Sequence, residues 1–279
     1  MAARQHLSIP PAIVPSILER AKQLFLSRHM FSSSSNLKFL APFRPPTPCE
    51  PYLIFSAKAA MLACFFDEVK CQSVLQRARK SYSTALDLVN KALRLPEVVA
   101  RNVTIATVLL LDLFEKFTGT EEYDKAPTTS HLQGALALFK LRNGDQFNDP
   151  NTMSMFRYLS LDVLINSLKH GTQIPGDFVY LRNQASYYIY ANDYEWQIMD
   201  FSIRLVHLRE ALKEGSVSTS EASVAIKEMD DEYFRMVLNN PGALLHDIPD
   251  HGSSTPDARA AIASEHVAHV RLLLDELLQ

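Results

Sequence analysis

From Val103 to Phe117 the chain is apolar on nearly every side, with Asp112 and Glu115 as the only acidic interruptions. A helix without a polar face has to be enclosed by other elements, so this one belongs at the centre of a bundle. Gly119 follows it where a left-handed C-terminal cap belongs. Pro96 precedes it and stops the helix whose apolar face is Tyr82, Ala85, Leu86, Val89 and Leu93. The apolar run around Val108 to Leu111 is interrupted by Asp112 and Glu115. It falls far short of the roughly 20 residues of a membrane span, and no membrane association is expected.

The remaining pattern is also helical. Eight glycines and 15 prolines in 279 residues, with few hairpin turn signals, favour helices joined by proline-punctuated loops over a β protein. Ile17, Leu18, Ala21, Leu24 and Phe25 mark a first helix. Pro42, Pro45, Pro46, Pro48 and Pro51 then deny regular structure and make a linker or a strap over the core. Ala59, Leu62, Ala63, Phe66 and Val69 follow one helical face from Phe55, continued to Arg79 by Val74 and Ala78 after a break near Cys71 to Ser73. Ser130 with Gln133 and Ser218 with Glu221 are capping boxes, and Asp149 before Pro150 is a cap followed by a first-turn proline. Leu132, Ala135, Leu136 and Phe139 form the face of the Ser130 helix. Gly134 inside that helix costs about 1 kcal/mol relative to alanine and predicts a close neighbour, helix or ligand. Phe156, Leu159, Val163 and Leu164 line the next helix. Phe178 to Asn192 reads as a short helix, Glu195 to Lys213 and Ser218 to about Asn240 as two longer ones, and Thr255 to the end as the last. The expectation is an all-α fold, a single multi-helix domain of stacked antiparallel helices. Residues 1–54 form an irregular N-terminal segment with one helix and a Pro-rich linker, and 55–279 form the helical domain.

Charge excludes one class of partner. A net charge of −3 supplies no field to concentrate the chain on nucleic acid, so direct nucleic-acid binding is not expected. Arg77-Ala-Arg79-Lys80 is a local basic cluster and reads as a solvated helix face. Cys49, Cys64 and Cys71 lack paired-thiolate spacing and read as reduced thiols, Cys64 buried and unactivated among Leu62, Phe65 and Phe66. Arg4, Arg20, Lys22 and Arg28 followed by Ser32 to Ser35 have the composition of an organelle transit peptide, which Pro10, Pro11 and Pro15 interrupt.

No constellation commits the chain to a reaction. His246, Asp247, Asp250 and His251 crowd one loop, yet no spacing fixes a metal geometry and a solvated loop is expected. Phe65-Phe66-Asp67-Glu68 with Asn192-Asp193-Tyr194-Glu195 and Asp200 loosely matches the magnesium motifs of helical prenyl-diphosphate lyases. The match fails at Cys71 and Trp196, so surface charges are expected. No catalytic residue, metal or cofactor is assigned. His131, Glu115 and Arg142 are expected to form a buried or capping polar set, Arg142 complementing its helix dipole.

The order Tyr82 to Leu93, Val108 to Glu115, then His131-Leu132-Gln133-Gly134-Ala135 with Leu138 and Arg142, then Phe156-Arg157 and Ile174-Pro175 resembles the fungal-specific transcription factor domain. That domain is the helical regulatory region of fungal zinc-cluster transcription factors. The likeness covers roughly residues 55 to 240. It implies a regulatory domain in the nucleus, otherwise the cytoplasm, acting on other proteins or a small-molecule effector, with a homo-oligomer allowed. The six-cysteine zinc cluster that reads DNA in that family is absent from these residues, which argues against direct promoter recognition. Two other classes compete: an enzyme of secondary metabolism, such as a cyclase or isomerase built on the same scaffold, and a purely structural dimerisation module. An aromatic-lined void with polar groups on one wall would mark the enzyme, and a packed core the regulator.

Overall fold

The computed structural model describes residues 15–29, 37–43, 49–119, 130–190 and 193–239. The His246 to His251 loop and the helix expected after Thr255 lie outside them. Among the described residues every regular element is helical: α1 (Ile17–His29), a 3-10 turn (Lys38–Phe43), α2 (Pro51–Val69), α3 (Gln72–Ala92), α4 (Pro96–Val99), α5 (Asn102–Thr118), α6 (Ser130–Lys140), a second 3-10 turn (Gly144–Asn148), α7 (Pro150–His170), α8 (Gly176–Ser186), α9 (Tyr194–Glu214) and α10 (Thr219–Asn239). The fold is all-α and forms one domain.

Helix α5 is the axis. Every residue from Val103 to Phe114 is buried, and α2, α3, α6 and α7 pack around it. Its buried threonines are satisfied by backbone carbonyls: Thr107 donates to Val103 of the same helix at 2.9 Å and Thr104 to Val98 of α4 at 2.7 Å. Gly119 closes the helix at φ +56°, donating its amide to the Glu115 carbonyl.

Helices α2 and α3 form a hairpin against one side of α5. The break between them falls at Lys70, whose φ of 49° is left-handed and whose amide donates to Phe66 O at 2.7 Å. The chain then continues unbroken from Gln72 to Ala92. Val74 and Ala78 therefore share one helix with Tyr82 and Val89, whereas the sequence pattern assigned them to the preceding element. A shared buried face running through Val74, Ala78, Ser81, Ala85 and Val89 explains the continuity. Helix α2 opens at Pro51, ahead of Phe55, with proline in the first turn where its missing donor costs nothing. Helix α1 lies on α2 with Ala21 and Phe25 buried, and Phe39 and Leu40 of the first 3-10 turn enter the core as a strap.

On the other side of α5 the core is aromatic. Phe139 of α6, Phe147, Phe156 of α7 and Phe178 of α8 are fully buried. Ring centroids lie 4.9 Å apart for Phe147 and Phe156, 5.5 Å for Phe139 and Phe156, and 6.2 Å for Phe156 and Phe178. Helix α7 begins with Asp149 accepting the amides of Asn151 and Thr152, as the cap-then-proline pattern predicts. It ends at Gly171, where Arg209 of α9 donates to the Ser167 and Leu168 carbonyls at 2.7 Å each. Arg157 grips the Asp193 carboxylate with both terminal nitrogens, and Asp193 also caps α9 through the Trp196 amide. The Phe178 segment is helical only to Ser186. The second capping box closes as expected: Glu221 accepts the Ser218 amide at 2.9 Å, and its own amide donates to Ser218 Oγ at 3.3 Å.

Phe156 touches three of the rings in this cluster. Replacing it with alanine is expected to destabilise the fold by about 3–5 kcal/mol. Urea unfolding followed by far-ultraviolet circular dichroism measures the loss.

Candidate functional site

Three polar side chains from three helices converge at the C-terminal end of α5. Tyr82 of α3 donates its hydroxyl to Glu115 Oε1 at 2.6 Å. His131, in the first turn of α6, places Nε2 2.9 Å from the Tyr82 oxygen and 3.1 Å from Glu115 Oε1. Because the tyrosine proton is already given to the carboxylate, His131 Nε2 must carry a hydrogen that it shares between both oxygens. The tyrosine ring stacks on Phe114 at 4.3 Å and meets the imidazole edge-on at 6.1 Å. All three groups are mostly withdrawn from water.

The electrostatics follow from that triangle. Burial first, then the bond to Glu115 and its charge, push the Tyr82 hydroxyl well above its ordinary range. The tyrosine is a fixed neutral donor. Burial pulls the Glu115 carboxyl upward, but the hydrogen bonds from His131 and Tyr82 outweigh it and hold the acid below its ordinary 4.5.

Next to Glu115 on α5, Lys116 bridges two carboxylates. It pairs with Asp112 of its own helix at 3.0 Å and with Asp162 of α7, and it rests 5.3 Å above the Tyr158 ring. Asp112 is 0% exposed, and the Lys116 ammonium offsets part of the cost of burying its carboxylate. Lys116, one turn after the acid that interrupts α5, is therefore one point where α7 is tied to that helix.

The other end of α6 is fixed by a second network. Arg142 donates to Asn102 Oδ1 at 2.8 Å, and Asn102 donates to Asp149 Oδ2 at 2.8 Å. Thr152 donates to the same Asp149 oxygen at 2.7 Å. Arg142 thus reaches across to the N-terminus of α5 instead of turning back on its own helix end. An open cleft of about 440 Å3 lies beside it, between Ala100 and Asn143.

The structure accordingly brings His131 and Glu115 into one site and holds Arg142 apart at the far end of the same helix. Leu132, Ala135 and Leu138 are core residues between them. The close approach expected at Gly134 is looser than its sequence context suggests: a Cβ there would lie 4.0 Å from Val108 Cγ1, an ordinary contact. Sequence reasoning placed Tyr82 on a buried face without its hydroxyl role, and it missed Asn102 and Asp162. The i, i+4 pair Asp112 and Lys116 inside an apolar helix was the available signal for the buried ion cluster.

Other candidates have structural partners. Asp67 pairs with Lys70, Glu68 with Arg28, Asp193 with Arg157 and Asp200 with Arg182, so these acids do not face one another across a magnesium site. Among the described residues no three of His, Cys, Asp and Glu gather as metal ligands. No described helix is long and apolar enough to cross a membrane. Cys64 lies 3.6 Å from His29 Nε2, but burial pushes its thiol up to about 11, which leaves it an unreactive neighbour. No known protein family, curated protein or solved structure matches the chain.

A carboxylate whose folded value is depressed stabilises the protein fully above its unfolded value of about 4.5, and that contribution is lost as pH falls through the lower folded value. Glu115→Gln should remove this share of the acid-side slope in thermal melts recorded across acidic pH. Gly134→Ala should raise stability by up to about 1 kcal/mol, because the helix gains an alanine without a clash; chemical denaturation checks it.

Proposed function

We propose that the chain is a transcription-regulator-like helical domain, acting in the nucleus through contacts with other proteins or a small effector. One observation carries the proposal. The polar residues by which the sequence resembles fungal zinc-cluster regulators, Glu115, His131 and Arg142, are all engaged in bonds that hold α6 to α3 and α5. They act as fasteners of a domain, which suits a motif whose role is architectural. The aromatic core supports the same reading, since Phe139, Phe147, Phe156 and Phe178 pack ring on ring. A cyclase would need such rings spread around a substrate.

The test has two arms. Fused to a heterologous DNA-reading domain in a fungal cell, the chain should change transcription from a reporter bearing the cognate sites. A folded, nuclear fusion that leaves the reporter unchanged removes the regulatory reading. In an electrophoretic titration at physiological salt the unfused chain should give no sequence-specific duplex complex, and nanomolar specific binding would defeat the proposal.

A further inference from the structure

We infer that the cleft between α1, α2 and α3 is a binding site for a small amphipathic organic anion, a carboxylate carried on a short apolar body. The cleft has a volume of about 340 Å3. Its apolar surface comes from Leu18, Phe55 and Leu62, and its charge from Lys58, Arg77 and Lys80. No carboxylate lines it.

What distinguishes this place is that three cations line one concavity. Other surface cations pair with acids, as Arg28 does with Glu68, Lys70 with Asp67, Arg101 with Glu50 and Lys140 with Asp177. Among the described residues Lys58, Arg77 and Lys80 form no ion pair. Three cations therefore share one concavity in a chain whose net charge is −3. Their mutual repulsion is relieved by an anion, and concave low-dielectric walls strengthen the attraction. The hydroxyls of Ser81 and Thr84 are donated to the helix carbonyls of Arg77 and Lys80, so recognition of the anion falls to the three cations.

The apolar surface restricts the class further. Inorganic phosphate would meet the cations and leave the partly exposed Leu18 and Phe55 uncovered. A neutral hydrocarbon would cover them and leave the cations unmatched. A carboxylate with a chain of a few methylenes does both, each buried methylene adding about 0.8 kcal/mol. As an effector site the cleft rests on the regulatory reading above; its occupancy is measured on the purified chain alone, so failure of the reporter and failure of binding remain separate results.

The experiment titrates the isotope-labelled full chain with sodium octanoate, 1-octanol and octylammonium, following the methyl resonances of Leu18 and Leu62. Octanoate should shift both saturably, octanol should bind about tenfold more weakly, and octylammonium should not bind. The triple change Lys58→Gln, Arg77→Gln and Lys80→Gln should weaken octanoate about tenfold with an unchanged melting temperature, whereas Arg79→Gln, on the same helix but outside the cleft, should have no effect. On the unaltered chain, octanoate affinity should fall with added salt, a second measurement that needs no variant. The inference is overturned by no octanoate binding, by shifts confined to other residues, by octanol binding as tightly as octanoate, or by an affinity indifferent to both salt and the triple change.

Discussion

A helix with no polar face has to be surrounded, and that requirement organises the molecule. Burial of α5 from Val103 to Phe114 demands neighbours on every side, which α2, α3, α6 and α7 provide. The hydrophobic effect specifies that they approach, and does not specify their register. Register comes from the polar groups at the ends of α5. Asn102 at its start receives Arg142, Lys116 near its end holds Asp162, and Glu115 receives Tyr82 and His131. Each group is directional, and several would be costly to leave buried without the partner.

The division of labour within α6 follows from this arrangement. Its middle, Leu132, Ala135 and Leu138, is buried apolar surface, and its two ends are anchored by polar bonds to α3 and α5. A motif of histidine, small residues, leucine and arginine is thus a docking device whose polar ends prevent the apolar middle from sliding along α5. The same groups are poor candidates for chemistry. A tyrosine held well above its ordinary range and a carboxylate with two donors on one oxygen are stabilised in one protonation state, whereas a general acid or base must change state easily.

The surface tells a different story from the interior. Inside, buried charges are matched by partners, as with Asp112, Lys116 and Asp162. Outside, the cleft beside α1 gathers Lys58, Arg77 and Lys80 without an acid among its lining residues. Of the basic stretch Arg77-Ala78-Arg79-Lys80, Arg77 and Lys80 line this cleft beside Leu18 and Phe55, whereas Arg79 lies outside it.

The helical class, the central place of the Val103 to Phe117 helix, the caps at Asp149 and Ser218 and the stop at Gly119 were all legible in the sequence. They depend on interactions within a few residues or on the periodicity of one face. The length of α3 was not, because residues 72–79 fit either side of a break and only packing on α2 and α5 chooses between them. Nor did spacing predict that Tyr82 would meet His131, 49 residues away, through its hydroxyl. Local chemistry determined which segments would coil and where they would end. The tertiary structure alone decided which distant side chains would meet, because a helix's periodicity states which face is buried and leaves open how far it slides and turns against its neighbours.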